Sequence, residues 1–181
     1  VSHHPFYYMP CMDEEMRWLV FVSHRTGRPE IFVEDQESGQ IVQVTERDRL
    51  GEYSVHPSCD GRYVYFTAGG KACRVEIESQ REVVLADFHA DARGEGMVGA
   101  GMGTTSLSTD DRYWAVPVNA GEAMRLAVID TESGHWEFIA EHASIGHPEF
   151  HPDDNSLLRF GGPYYERIWV LNRDGSDKRL V

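Results

Sequence analysis

The chain has 181 residues, of which 41% are hydrophobic and 26% are charged, a balance typical of a folded globular protein rather than a disordered one. This length supports one sizeable core and predicts a single domain spanning 1–181. The formal net charge of −13 argues against a nucleic-acid partner, because phosphate contacts need a basic surface. No apolar run approaches the ~20 residues of a membrane-spanning helix, so no membrane partner is expected.

The three cysteines, Cys11, Cys59 and Cys73, are odd in number and widely spaced. This usage argues against a disulfide framework and fits a reducing compartment. No signal-peptide pattern opens the sequence, so a cytoplasmic location is expected. A periplasmic location would require a signal peptide lost from a clipped start, which the initial Val1 leaves open.

An internal repeat is the strongest signal in the sequence. Four segments begin with an acidic turn and continue as an apolar, aromatic-rich run. They start at Glu15, Asp60, Asp110 and Asp154, so that successive starts lie 45, 50 and 44 residues apart. A second apolar run and a second turn follow each of them. Valine, isoleucine and aromatic residues favour strands, and no helical periodicity of any length is present.

Each repeat contains four predicted strands: one before the acidic turn, one after it, and two around the second turn. A period near 45 with four strands is typical of a β-propeller blade. In chain order, the predicted blades are 6–46, 53–88, 104–141 and 147–181. The fold class is therefore predicted to be an all-β propeller with four four-stranded blades. A β-sandwich of about sixteen short strands is the alternative, although a sandwich does not require this repeat.

The repeat alone does not determine the number of blades in the complete ring. Propellers have about 4–8 blades, so four could close, but a small ring needs tight wedges. We favour the first half of a larger ring. An open half ring would leave apolar blade faces uncovered, and it could pair with a second copy as a homodimer.

The connections between strands predict two chemically different ends of the propeller. Adjacent antiparallel strands alternate in direction, so the turns after the first and third strands of every blade share one end. These turns are acidic, and we call this the acidic end. The loops after the second and fourth strands share the other end, which we call the His end because it holds six of the nine histidines: His3, His4, His24, His89, His142 and His147.

The His end is the predicted binding site for an anionic ligand. Several arginines accompany its histidines, among them Arg25 and Arg167. An acidic protein that concentrates imidazole and guanidinium groups on one face can bind carboxylates there. The alternative for each of these side chains is a turn-capping role, since loops are polar in any case.

Two motifs resemble cofactor sites, but neither is assigned a cofactor. The stretch Gly94-Glu-Gly-Met-Val-Gly99 has the spacing of a dinucleotide loop, but a short strand rather than a helix follows it. His3 and His4 are adjacent, and neighbouring side chains of an extended segment point to opposite sides. No metal ligand is therefore assigned from the sequence.

Two residues of the fourth blade are the better candidates for ligand contacts. His147 is placed at the mouth of the propeller, whereas His151 precedes Pro152 and is expected to shape the next acidic turn. Arg167 could bind a carboxylate through two parallel hydrogen bonds. Its alternative is packing over an aromatic ring such as Trp169.

The fourth blade resembles that of the oligogalacturonate lyases, a pectate lyase family. The resemblance rests on Gly146-His-Pro148, Pro152-Asp-Asp154, Gly162-Pro163, Arg167-Ile-Trp-Val170 and Asn172-Arg-Asp-Gly175. The start of the chain, with His3, the aromatics Phe6-Tyr-Tyr8 and Cys11, is similar to that family's first blade in kind and order. The resemblance covers most of the chain and implies the N-terminal part of a seven-bladed propeller.

This resemblance implies β-elimination cleavage of short oligogalacturonates with a divalent metal, usually Mn2+. It makes an acidic oligosaccharide the expected partner. Its substrate contacts are expected at His147 and Arg167, and the other His-end candidates are His3, His24 and Arg25. The family often has a histidine before the Gly-Pro pair of this blade, where this chain has Phe160-Gly-Gly-Pro163. The family's catalytic and metal histidines match later blades, so the catalytic residues are unknown here and expected beyond Val181, and the chain as given is expected to lack activity.

Two rival functions remain. One is a non-enzymatic TolB-like propeller that binds a protein or glycan. The other is a sugar hydrolase, which needs two inward carboxylates about 5–10 Å apart. The acidic residues assigned to the His end are few, mainly Glu30, Glu95 and Glu166, and this weakens the hydrolase interpretation.

Overall fold

The computed structural model describes residues 1–3, 9–93, 98 and 104–181, and within these ranges the protein consists of strands and turns without a helix. The strands of the first two blades are β1 Ser2–His3, β2 Trp18–Ser23, β3 Glu30–Asp35, β4 Ile41–Gln43, β5 His56–Pro57, β6 Tyr63–Ala68, β7 Lys71–Glu76 and β8 Glu82–Asp87. Those of the last two are β9 Ser106–Leu107, β10 Tyr113–Asn119, β11 Met124–Asp130, β12 Trp136–His142, β13 Gly146–His151, β14 Asp154–Gly161, β15 Ile168–Asn172 and β16 Arg179–Leu180.

The sixteen strands form four separate sheets, each with four antiparallel strands in sequence order. We call them blades 1 to 4. This arrangement confirms the predicted all-β propeller with four four-stranded blades. Strand β1 lies before residue 6, where the first blade was expected to begin. Phe6-Tyr-Tyr8 and most of the Gly-rich stretch 94–103 lie outside the described residues.

Alternation along the second strand of each blade explains how the blades stack. Successive side chains of a strand point to opposite faces. In β6, Val64 and Phe66 pack in one apolar cluster with Val20 of blade 1. Tyr65, between them, packs against Trp114 of blade 3. A run of apolar residues with both faces buried is therefore required in a blade that has a neighbour on each side.

Hydrogen bonds between the first turns of successive blades join the acidic end. The N–H of Glu14 in blade 1 donates to the Cys59 carbonyl of blade 2 at 3.0 Å. The N–H of Cys59 donates to Asp111 Oδ2 of blade 3 at 2.7 Å. The N–H of Thr109 donates to Asn155 Oδ1 of blade 4 at 3.1 Å. The four acidic turns thus meet at one end, as the strand order requires.

Candidate functional site

Three side chains of the His end converge where blade 1 meets blade 2. His3 lies in β1, His24 follows the last residue of β2, and Glu52 lies in the loop between β4 and β5. The distance from His3 Nε2 to Glu52 Oε2 is 3.0 Å, and the distance from His24 Nε2 to the same oxygen is 2.8 Å. The two imidazole rings have their centroids 6.3 Å apart. We call this group the His3–His24–Glu52 cluster.

The loop that carries Glu52 is fixed against blade 2. The N–H of Gly51 donates to the Thr67 carbonyl at 2.8 Å, and the N–H of Ser54 donates back to the Gly51 carbonyl at 2.8 Å. A Cβ at Gly51 would lie 2.3 Å from Thr67 Oγ1, so only glycine allows the loop to approach β6 this closely. Glu52 therefore projects toward the histidines from a rigid support.

Glu52 is ionised in this arrangement. Partial burial raises the pKa of its carboxyl, but hydrogen bonds from His24 and His3 outweigh burial and bring the net pKa below its usual range. The three side chains keep between 28% and 38% of their surface exposed, so the cluster is open to solvent. Two imidazoles and one carboxylate form a donor set that fits a divalent transition-metal ion, manganese included. Among the described residues, this is the group of three such side chains whose candidate ligand atoms all lie within 4.8 Å of one another, close enough to hold one ion.

Arg25 directly follows His24 in the sequence, and its side chain packs on two aromatic rings of blade 1. Its guanidinium carbon is 4.6 Å from the ring centroid of Phe32 and 5.4 Å from that of Phe21. Its Nε also donates to Ser23 Oγ at 3.1 Å. These contacts fix the side chain next to His24.

The second group of the His end consists of His147 and Arg167 in blade 4. His147, in β13, has a left-handed backbone with a φ of 49°. Its Nδ1 lies 3.5 Å from Thr104 Oγ1. Burial lowers the pKa of His147, and the neighbouring positive charge of Arg167 lowers it further. The imidazole is therefore neutral at pH 7.

Arg167 is held by the loop that precedes it. Its Nη1 donates to the Gly162 carbonyl at 3.1 Å. The cation that lies over the Trp169 ring is Lys178, with Nζ 5.2 Å from the centroid. Arg167 therefore caps its own loop, and Lys178 rather than Arg167 lies over the Trp169 ring.

The carboxylate that meets the histidines of the His end is that of Glu52 and not that of Glu30. Glu30, counted among the acidic groups of the His end, is fully buried beneath Arg28, whose Nε donates to Oε1 at 2.6 Å. Glu52 was not singled out from the sequence. Its position in the loop after a fourth strand already places it at the His end, so strand alternation was the signal that could have found it. The convergence with His3 and His24 has no signal in local sequence.

Comparison with known proteins finds similarity to oligogalacturonate lyases. None of the known protein-family models matches the chain. Oligogalacturonate lyase of Dickeya dadantii (strain 3937) is 23% identical and aligns with 100% of this chain and 52% of its own length. The chain resembles the oligogalacturonate lyases. It spans about half the length of this curated relative, consistent with an N-terminal part of such a lyase.

Solved structures share the fold. An oligogalacturonate lyase from Vibrio parahaemolyticus superposes with a TM-score of 0.83 at 22% identity, over 99% of this chain and 53% of its own. An oligogalacturonate lyase in complex with manganese gives the same TM-score at 20% identity, over 99% and 53%. TolB from Acinetobacter baumannii gives 0.69 at 12% identity, over 95% and 42%. Nothing in the described ranges forms a helix with the length and apolarity that a bilayer crossing requires.

Proposed function

We propose that this chain is part of an oligogalacturonate lyase-like enzyme that cleaves short uronate oligosaccharides of pectin by β-elimination. The alignment of the whole chain with the Dickeya lyase carries the proposal. The arginine and histidine side chains of the His end support it, because the substrate carries carboxylates that such side chains can bind. The residue that removes the proton is not assigned in this proposal.

Arg167 is proposed to bind a uronate carboxylate. Elimination removes the C5 proton next to that carboxylate, and this proton is weakly acidic until the negative charge is offset. A guanidinium offsets the charge and fixes the sugar by parallel hydrogen bonds. It has five N–H donors, so the bond to the Gly162 carbonyl does not exhaust them.

His147 is proposed to contact the same sugar as a neutral imidazole. Because burial and Arg167 keep its pKa low, it offers one donor and one acceptor nitrogen at pH 7. His3, His24 and Arg25 are proposed to contact a more distant part of the oligosaccharide from blade 1. These assignments extend the binding surface across the His end.

A divalent metal belongs to this proposal, since a related lyase is known in complex with manganese. When bound, such an ion would offset the charge of a uronate carboxylate. The resemblance places the family's metal ligands in later blades, so the His3–His24–Glu52 cluster is not assigned to that role.

A cytoplasmic location is proposed from the cysteines. All three are free thiols. Burial, together with neighbouring carboxylates, raises the pKa of Cys59 and of Cys73 to about 12. Neutral thiols of this kind are unreactive, as expected of structural cysteines in a reducing compartment.

The direct test incubates the gene product that contains this chain with digalacturonate and Mn2+. Elimination creates a double bond next to the carboxylate, so an ultraviolet-absorbing product should accumulate. Arg167→Gln should reduce turnover at low substrate concentration, whereas Arg62→Gln, at the acidic end, should not. New reducing ends without absorbance would indicate hydrolysis instead. Digalacturonate binding with no cleavage would favour the TolB-like binding propeller.

A further inference from the structure

We propose that His3, His24 and Glu52 form a binding site for a divalent transition-metal ion, distinct from the metal site that the lyase resemblance places in later blades. No motif of adjacent ligands predicts this site. It is created because β1, the end of β2 and the connection from blade 1 to blade 2 meet at the same place.

Two of the three ligand separations in the cluster are close to those around a metal. Ligands about 2.1 Å from an ion lie about 3.0 Å apart at right angles and about 3.4 Å apart in a tetrahedron. The separations of His3 Nε2 and His24 Nε2 from Glu52 Oε2 are 3.0 Å and 2.8 Å. Binding would therefore require small side-chain rotations rather than a change of backbone.

The supporting backbone is rigid on both sides of the site. His3 lies in β1, where it pairs with Val22 of β2, and the N–H of His24 donates to the Val1 carbonyl at 2.9 Å. The Glu52 loop is held to blade 2 through Gly51, as described above. A site whose arms are fixed before binding loses little conformational freedom when the ion arrives.

The donor set selects the class of ion. Imidazole nitrogens suit zinc, iron and copper, whereas magnesium and calcium prefer oxygen ligands throughout. Two histidines and one carboxylate, on a partly exposed surface, leave coordination positions for water or a ligand anion. The site is thus expected to bind Zn2+ and Co2+ tightly, Mn2+ more weakly, and Mg2+ least.

Without an ion, both imidazoles share one carboxylate oxygen. Each Nε2 donates a hydrogen to Glu52 Oε2 in that state, and an ion replaces both hydrogens because metal binding needs the nitrogen lone pairs. The hydrogen-bonded cluster is therefore the apo form of the site. The competing explanation is that these hydrogen bonds are purely structural, and an ion-binding measurement distinguishes the two explanations.

The test is calorimetric titration of the metal-stripped full chain, carrying an N-terminal extension without histidines, with Zn2+. One ion should bind per chain. Glu52→Gln and His24→Gln should each weaken binding by more than the roughly 10–100-fold typical of losing an outer-sphere partner. Both variants retain hydrogen-bonding side chains, and unchanged thermal unfolding will show that they fold.

The matched control is His89→Gln. His89 Nδ1 lies 2.6 Å from Asp87 Oδ1, so this pair has the same chemistry without a third ligand among the described residues. The control should bind Zn2+ like the unaltered chain. Equal losses in all three variants, or no saturable binding by the unaltered chain, would overturn the proposal.

A second readout locates the ion without any substitution. Substoichiometric Mn2+ broadens nuclear magnetic resonance signals near its site, and the ring of Tyr53 lies 6.0 Å from that of His3. The signals of His3, His24 and Tyr53 should broaden, while those of His135 at the acidic end should not. Broadening centred on the turns at Asp60 and Asp110 would instead show diffuse binding to the acidic end and contradict the site.

Discussion

Asp111 Oδ2 accepts a hydrogen bond from the backbone N–H of Cys59 at 2.7 Å, and this bond joins the first turn of blade 3 to that of blade 2. Burial raises the pKa of Asp111 to about 6, and the nearby charge of Asp60 acts in the same direction. Its neighbour Asp110 behaves oppositely. Partial burial raises the pKa of Asp110, but hydrogen bonds from Ser108 and from the N–H of Arg112 outweigh it, and the net pKa is lowered.

Asp111→Asn should make the protein more stable at pH 7. The folded chain keeps a proton on Asp111 that the unfolded chain releases, so stability falls as the pH rises from the ordinary pKa of 3.8 to about 6. The loss amounts to about 1 kcal/mol after allowance for solvent screening. Asparagine retains the acceptor and tolerates the left-handed φ of 56°. Urea unfolding at several pH values should show a flatter profile for the variant.

Asp110→Asn is the matched control for this measurement. Because its folded pKa is lowered, Asp110 stabilises the protein at neutral pH, and this contribution is lost as the pH falls through the lowered pKa. The substitution should therefore destabilise the protein at pH 7. If the stability of the two variants changed with pH in the same way, the opposite pKa shifts assigned to Asp110 and Asp111 would be contradicted.

Glu30→Ala should be among the most destabilising substitutions in blade 1. The fully buried carboxylate accepts hydrogen bonds from Arg28 Nε at 2.6 Å, from Thr45 Oγ1 at 2.8 Å and from the N–H of Arg47 at 3.1 Å. Arg28 keeps 41% of its side chain exposed and can be solvated, but the Thr45 hydroxyl and the Arg47 N–H lose their acceptor, and each unsatisfied group costs about 1–3 kcal/mol. Equilibrium unfolding of the variant measures this loss.

Asp48→Asn provides the comparison for Glu30. Asp48 Oδ1 also bonds to Arg28, at 2.9 Å, but 86% of its side chain is exposed. Exposed pairs contribute about 0–1 kcal/mol. Equal effects of the two substitutions would mean that the burial of Glu30 does not control its contribution.

Gly175→Ala should destabilise the contact between blades 3 and 4. A Cβ at Gly175 would lie 2.5 Å from the Ile139 carbonyl oxygen of β12, and the φ of +82° is left-handed. Strain and clash together should cost about 2–4 kcal/mol. Gly39, with a φ of +70° and no atom within 4 Å, isolates the strain alone, about 1 kcal/mol. If thermal unfolding showed Gly39→Ala to be less stable than Gly175→Ala, the expected clash with the Ile139 carbonyl would be contradicted.

Arg167→Gln should raise the pKa of His147. Burial remains in the variant, but the second cause of the depression, the Arg167 charge, is removed. A nuclear magnetic resonance titration of the His147 ring should show a shift toward the ordinary value of 6.5. Arg62→Gln, in an exposed pair with Glu76, should leave that titration unchanged. An unaltered His147 pKa in Arg167→Gln would show that the two side chains do not interact.

The repeat in the sequence was enough to determine the fold and its two chemically different ends. The apolar runs after Asp60 and Asp110 became the doubly buried second strands of blades 2 and 3. Strand alternation then placed every turn, because antiparallel neighbours reverse direction. These features depend on residues close together in sequence, so their signals are local.

The contacts at the His end depended on the tertiary structure. Glu52 meets His3 and His24 because the loop at Gly51 packs on β6 of the next blade, 16 residues further on. The burial of Glu30 and the raised pKa of Asp111 likewise follow from the stacking of strands and blades rather than from their neighbours in sequence. Local patterns determine which end of a blade a side chain occupies. Only the packed blades determine which charges meet there, because burial and distance are properties of the assembled fold.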